Sequence, residues 1–177
     1  MVSDAKENIK KYRVCGYVKL AKLWERKREE AIKLHTEFFN SVIDGFENAK
    51  LVGIYIDITG AKHIYKRKEM VRLLRDVTSG RVDIILMQTR AYLAANYDEF
   101  CYIIYYLFNR NSRIDIITDD DDIYKIDTLS NLDGQREALL KMAQDYVAIK
   151  RGSYTYWKDE LIKAINDIEE DGVNVRL

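Results

Sequence analysis

The sequence predicts an α/β fold: a mainly parallel four- to five-stranded sheet with helices on both faces, followed by long C-terminal helices. Two observations carry this. Short runs rich in Val, Ile, Leu and Tyr alternate with stretches of helical periodicity, the order expected of parallel strands joined by crossover helices. Beyond about residue 130 the strand pattern stops and only helical spacing continues. The 177 residues therefore divide into an α/β domain over 1–130 and a helical extension over 131–177, which packs on that domain or forms a dimer interface.

Each element has its own signal. Tyr12 to Leu20 (YRVCGYVKL) is rich in Val, Tyr and Leu and reads as a strand. Lys22 to Asn48 reads as one long helix, with Leu23, Ala31, Leu34, Phe38, Val42 and Phe46 at helical spacing. Leu51 to Ile58 (LVGIYIDI) suits a buried strand. Lys68 to Thr78 is a helix with Met70, Leu73, Leu74 and Val77 on one face and Gly80 past its end. Val82 to Met87 is a third strand. Asn96 to Asn109 is an aromatic-rich helix that Asn96 or Asp98 can cap. Ile114 to Thr118 is a fourth strand and Ile123 to Ile126 a short fifth. Leu132 to Arg151 is a helix, Tyr156 to Glu170 is another or its continuation across Gly152-Ser153, and Val173 to Leu177 is too short to assign.

Composition narrows the function. Lys plus Arg number 29 and Asp plus Glu 29, so the formal charge is zero. A dedicated DNA-binding module usually carries a basic excess, because phosphate neutralisation supplies most of its affinity. Here, basic residues meeting DNA must be locally arranged. No apolar run approaches the roughly 20 residues of a membrane span. Met1 to Lys11 has no apolar core of a signal peptide. Cys15 and Cys101 lie far apart in apolar stretches and read as buried free thiols, so a cytoplasmic location is expected. Neither they nor His35 and His63 have zinc-ligand spacing, and no glycine-rich phosphate loop is present. No metal or cofactor is expected.

In parallel sheets, functional residues gather at the carboxyl ends of the strands. Here those ends are Lys19-Leu20-Ala21, Asp57-Ile58-Thr59 and Met87-Gln88-Thr89. Gly16-Tyr17-Val18-Lys19-Leu20-Ala21 resembles the opening strand of serine recombinases (the resolvase/invertase family), where Gly-Tyr-x-Arg-x-Ser places an arginine beside the nucleophile. Leu51 to Asp57 resembles the second strand. Arg67 to Asp76 resembles a helix that opens with an arginine and ends in a Leu-x-Asp pattern. Gly80 to Met87 resembles the third strand. The family then has a pattern like Ser-Arg-Phe-Ala-Arg-Asn, where this chain has Ala91-Tyr92-Leu93-Ala94-Ala95-Asn96. Asp127-Thr128 and Gly134 resemble the start of the long dimerisation helix. The likeness runs over about residues 12 to 150.

The resemblance implies a DNA-recombination protein whose chemical positions have changed. The family's serine hydroxyl attacks a DNA phosphodiester, while positive charge stabilises the non-bridging oxygens. Ala21 has no hydroxyl, and Tyr92 and Ala95 stand where two arginines are lost. Lys19 offers a point charge in place of a planar fork. Lys19, Arg67 and Arg90 are the candidates for a remnant phosphate site. The expectation is a catalytically inactive partner, as a homodimer or paired with an active recombinase, with the DNA-reading domain that follows in family members absent or not part of this chain. DNA contact is weakly supported by the zero net charge.

Two rival readings stand beside it. One is an active strand-exchange enzyme with a relocated nucleophile, for which Thr59, Thr89, Tyr17 and Tyr92 are the candidates. The other is a small-ligand binder using the crevice at the strand ends. The plainer readings are a solvated, salt-bridged helix face for Lys22 to Lys33 and an acidic turn for Asp119 to Asp122. Phe100 to Phe108, apolar almost all round, lies deep in the fold or meets a partner.

Overall fold

The computed structural model describes residues 11–111, 113–121, 123–150 and 155–168. Four strands form one parallel sheet in the order β2-β1-β3-β4: β1 Tyr12–Leu20, β2 Ala49–Ile58, β3 Ile84–Met87 and β4 Asp115–Thr118. Between them run α1 Arg28–Ile43, α2 Lys68–Thr78 and α3 Tyr97–Arg110; α4 Gln135–Ile149 and α5 Thr155–Asp167 follow. The chain steps from β1 outward to β2, then returns past β1 to β3. Right-handed crossovers therefore put α1 on one face and α2 and α3 on the other. The direction reverses between β1 and β3, so the crevice of the sheet opens at the carboxyl ends of those two strands.

The strands' two-residue period divides the core accordingly. Cys15, Tyr17, Tyr55, Ile85, Met87 and Ile116 face the larger apolar cluster with α2 and α3. Val14, Val18, Ile54, Ile56, Ile84 and Leu86 face the smaller one, with Phe39 and Ile43 of α1. Ala143 of α4 and Leu161 and Ile165 of α5 join the larger cluster, so this core continues past residue 130. The aromatic helix α3 lies deep in the fold. Cys101, Ile103, Ile104, Leu107 and Phe108 are all buried, because the sheet lies under α3 and α4 packs over it. Both thiols are buried and free.

Several sequence expectations need correction. The long first helix is broken: Lys22–Lys27 is a 3₁₀ turn, α1 stops at Ile43, and a turn leads into β2. Its buried stripe is Ala31, His35, Phe39 and Ile43, one position from the predicted Leu34, Phe38 and Val42. Leu34 is 56% exposed. A histidine within the stripe disguised its register. The fifth strand over Ile123 to Ile126 does not form. The return segment instead makes one antiparallel bridge, Ile117 with Asp127. The Thr118 amide donates to the Ile126 carbonyl at 2.8 Å, and the Thr118 hydroxyl accepts from the Ile126 amide at 3.0 Å. The Thr128 hydroxyl accepts from the Ile116 amide at 2.9 Å. Backbone bonds and threonine hydroxyls together thus close the outer edge of β4 where a strand was expected. The last predicted helix is described to Asp167; its predicted end at Glu170, the Val173 to Leu177 tail, the Met1 to Lys10 stretch, and Asp122 lie outside the described residues.

Local chemistry explains the helix ends. The Asn96 side chain caps α3 by accepting from the Glu99 amide at 2.9 Å, which decides between the two candidate caps. Gly80, at φ +71°, turns the chain out of α2, a conformation that costs other residues strain.

Gly16 matters for space. A Cβ built there lies 2.6 Å from ring carbons of the buried Phe39. Gly16→Ala is expected to lower unfolding stability by about 1–3 kcal/mol through overpacking. Urea denaturation reads it, and Phe39→Leu in the same chain is expected to recover part of the loss.

Candidate functional site

The carboxyl ends of β1 and β2 are joined by a buried polar network. Strand register sets Lys19 opposite Asp57, with Tyr17 two residues back on the same face. The Asp57 carboxylate accepts from the Tyr17 hydroxyl at 3.0 Å, from the Glu69 amide at 3.0 Å and from the Met70 amide at 2.9 Å. The last two are free amides at the start of α2, so Asp57 caps that helix from a neighbouring strand. Burial, then the Asp57 charge, pushes the Tyr17 phenol well up, despite the nearby Arg67 guanidinium.

Arg67 immediately precedes α2 and is 2% exposed. Its Nη1 donates to the Tyr92 carbonyl at 2.7 Å and its Nη2 to the Lys62 carbonyl. The guanidinium thus fastens the loop before α2 to the 3₁₀ turn Arg90–Tyr92. Lys19 is half-buried in the same neighbourhood. Desolvation first, then the Arg67 charge, lower its affinity for a proton, and Asp57 partly offsets them.

The other candidates are arranged differently. Arg90 is exposed and lays its guanidinium over the Tyr124 ring at 4.6 Å, toward the loop after β4. The backbone amide of Arg90 donates to Asp120 at 2.7 Å. Burial alone would raise the Asp120 carboxyl; the Arg90 amide and the Thr89 and Thr118 hydroxyls outweigh it and hold it below its ordinary value. Arg90 and Ala95 border a 490 Å³ groove shared with Tyr97, Tyr124 and Met142. Tyr92 is half-buried and packs against both apolar clusters, which pushes its phenol upward. Ala95 is exposed, and its amide donates to the buried Glu99 carboxylate at 2.8 Å. The structure therefore brings Lys19 and Arg67 together and engages Arg90 elsewhere.

Ala21 is exposed, with φ −64° and ψ 150°, and its carbonyl accepts from the Trp24 amide at 3.0 Å. Thr59 is placed beside this strand end, since its amide donates to the Leu20 carbonyl at 3.0 Å. The Thr59 hydroxyl accepts from the Ala61 amide at 3.0 Å, and the Thr89 hydroxyl from the Ala91 amide at 3.2 Å. Both shape turns. Tyr17 is fully buried and donates its proton to Asp57, a poor arrangement for attack on an external phosphodiester.

Sequence reading placed Asp57 at a strand end without giving it a task. Its signal was an acid closing a buried strand ahead of a helix that has no side-chain cap of its own. Glu69 also went unnoticed. It pairs with Arg72 at the start of α2, and burial pushes its carboxyl up to about 7, against the lowering charge of Arg72. Among the described residues no group of His, Cys, Asp and Glu is placed to hold a metal ion, and no helix is long and apolar enough to cross a membrane.

No protein-family model and no curated protein sequence matches the chain. Solved structures do. The N-terminal catalytic domain of TP901-1 integrase aligns with 80% of this chain and 98% of its own, at TM-score 0.51 and 16% identity. A resolvase family site-specific recombinase from Streptococcus pneumoniae aligns with 89% of this chain and 100% of its own, at TM-score 0.52 and 18% identity. The fold is that of a serine recombinase catalytic domain. Within this recombinase fold, the Asp57 network and Ala21 both sit at the carboxyl end of the sheet.

Two outcomes follow from the network. Asp57→Ala strands the Tyr17 hydroxyl and two helix amides, and is expected to cost about 2 kcal/mol or more. Tyr17→Phe removes one hydrogen bond and is expected to cost about 1 kcal/mol; chemical denaturation compares them. Glu69 gives a pH signature. Its folded form holds a proton more tightly than the unfolded chain, so this contribution to stability is full below about pH 4.5 and lost as pH rises through about 7. The melting-temperature difference between wild type and Glu69→Gln is expected to shift against the wild type between pH 4.5 and pH 7.5. A pH-independent difference contradicts that assignment.

Proposed function

We propose that this chain is a recombinase-fold protein that does not cleave DNA, and that it serves as a structural or regulatory partner. It pairs with itself or with an active recombinase. The observation that carries this reading is Ala21: the exposed residue at the position matched to the nucleophile has no side-chain oxygen. The surroundings support it. The terminal nitrogens of Arg67 are committed to backbone carbonyls, Arg90 is turned to Tyr124, and positions 92 and 95 carry no charge. Loss of one preorganised donor typically costs about 2.7–4 kcal/mol of transition-state stabilisation. Loss of the nucleophile together with several donors leaves no cleavage route through this site.

Pairing is supported by apolar surface at the two ends of α4. Leu132, just before it, is 75% exposed, and Ile149, its last residue, is 79% exposed. In the family that α4 resembles, this helix dimerises. The chain then contributes a surface to an assembly without contributing a nucleophile.

A supercoiled-plasmid nicking assay with denaturing detection of covalent protein–DNA adducts tests the reading. Wild type is expected to give neither nicks nor adducts. Ala21→Ser is expected to stay inactive, because the charge around the new hydroxyl is not restored. An adduct mapped to Thr59, Thr89 or Tyr92 sinks the proposal in favour of a relocated nucleophile. Cleavage recovered by Ala21→Ser alone also sinks it.

A further inference from the structure

The segment from the end of β2 into the first residue of α2, Thr59 to Lys68 (TGAKHIYKRK), contains four cations and no acid in a chain whose net charge is zero. The structure turns one of those cations, Arg67, inward and leaves Lys62, Lys66 and Lys68 exposed. The acids closest in sequence are withdrawn from the surface. Asp57 is buried under three hydrogen bonds, and Glu69 is paired with Arg72. Nothing in the loop therefore neutralises the three lysines, unlike Lys27 with Glu30 or Lys141 with Asp145 elsewhere.

The same loop presents aromatic surface. The exposed His63 ring stacks on Tyr65, with centroids 5.7 Å apart and planes 15° apart, and the Lys66 ammonium lies 5.6 Å from the Tyr65 centroid. The loop is held in this shape from beneath. Arg67 grips the Lys62 carbonyl, and the Ile64 amide donates to the buried Glu99 carboxylate. A fixed basic loop with a flat aromatic pair matches what unpaired nucleic acid requires: cations for the backbone and a π-face for a base.

We propose that Lys62, Lys66 and Lys68 with the His63–Tyr65 stack form a docking site for single-stranded DNA, read through its backbone and one stacked base without sequence selection. This rests on the reading of the chain as a non-cleaving recombinase-fold protein and adds a partner for its surface. It does not use the position of the missing nucleophile.

Fluorescence anisotropy of the full chain with a labelled single-stranded 12-mer, over a salt series, tests it. Wild type is expected to bind with marked salt dependence and to prefer the single strand over the matching duplex. The triple variant Lys62→Gln, Lys66→Gln, Lys68→Gln is expected to bind at least tenfold more weakly. Its log affinity–log salt slope should be shallower by about 2, since each backbone contact contributes roughly 0.7 for single strands. His63→Ala is expected to lose about fivefold in affinity with the slope unchanged, the signature of lost stacking. A control with the same charge change placed elsewhere, Lys33→Gln, Lys141→Gln, Lys163→Gln, is expected to keep wild-type affinity. Circular dichroism melts confirm that each variant is folded. Three results overturn the proposal: no salt-dependent binding by wild type, equal loss in the control, or binding to phosphatidylglycerol vesicles but not to the oligonucleotide. Absence of binding alongside absence of cleavage refutes this inference and leaves the non-cleaving reading intact; cleavage with binding does the reverse.

Discussion

The Asp57 carboxylate closes the end of the second strand and accepts three hydrogen bonds in a setting almost free of water. A buried carboxylate is tolerated only where donors replace its hydration. Here the donors are the unpaired amides of α2 and the Tyr17 hydroxyl of β1. One side chain therefore fixes where α2 begins and how it meets the first two strands. Because α2 begins there, the residue before it, Arg67, lies under the loop, where it reaches the carbonyls of residues 62 and 92. The carboxyl ends of β1 and β2 and the turn after β3 become one connected layer.

Much of the chain's arginine is used in the same inward way. Arg13 holds Asp83 through two parallel bonds of 2.9 and 2.8 Å. Arg136 binds Asp115 at 2.8 Å and lies over the Phe108 ring at 4.3 Å, fastening α4 to the end strand and to α3. The planar guanidinium suits such positions because it can satisfy several acceptors at once and is less strongly hydrated than an ammonium. Most lysines, unlike the half-buried Lys19, stay outside. A neutral chain thus acquires uneven surface charge from this division between inward forks and outward point charges.

The fold was legible because its signals are local and repeated. Apolar runs, helical spacing and turn residues each gave an element, and alternation gave the parallel sheet. The errors have physical causes. His35 sits in the buried stripe of α1, and a histidine at that position keeps the stripe from reading as apolar. The Ile123 to Ile126 stretch has strand composition but meets β4 only at Ile126, through one backbone bond and the Thr118 hydroxyl. The site was legible as a set of positions and not as a set of bonds. The resemblance to serine recombinase motifs marked Lys19, Arg67, Tyr92 and Ala95, yet sequence does not say that Arg67 will be buried on carbonyls or that Arg90 will prefer a tyrosine ring. Those choices depend on contacts across 25 residues in one case and 34 in the other.

The backbone at Ala21 sharpens what the missing hydroxyl means. Its dihedral angles are ordinary extended values that serine adopts as readily as alanine. The side chain is exposed, so a hydroxyl would meet no steric barrier. Conformation therefore gives no reason for alanine. The nearby cations bear on it: the Arg67 guanidinium donates to two carbonyls, and burial makes the half-buried Lys19 easier to deprotonate. A nucleophile is useful only where charge develops against preorganised donors. On the proposed non-cleaving reading, Arg67 holds loops together where a cleaving enzyme would need it on a phosphate. The proposed reading therefore takes Ala21, Tyr92 and Ala95 together, as parts of a layer that stabilises a structure and not a transition state.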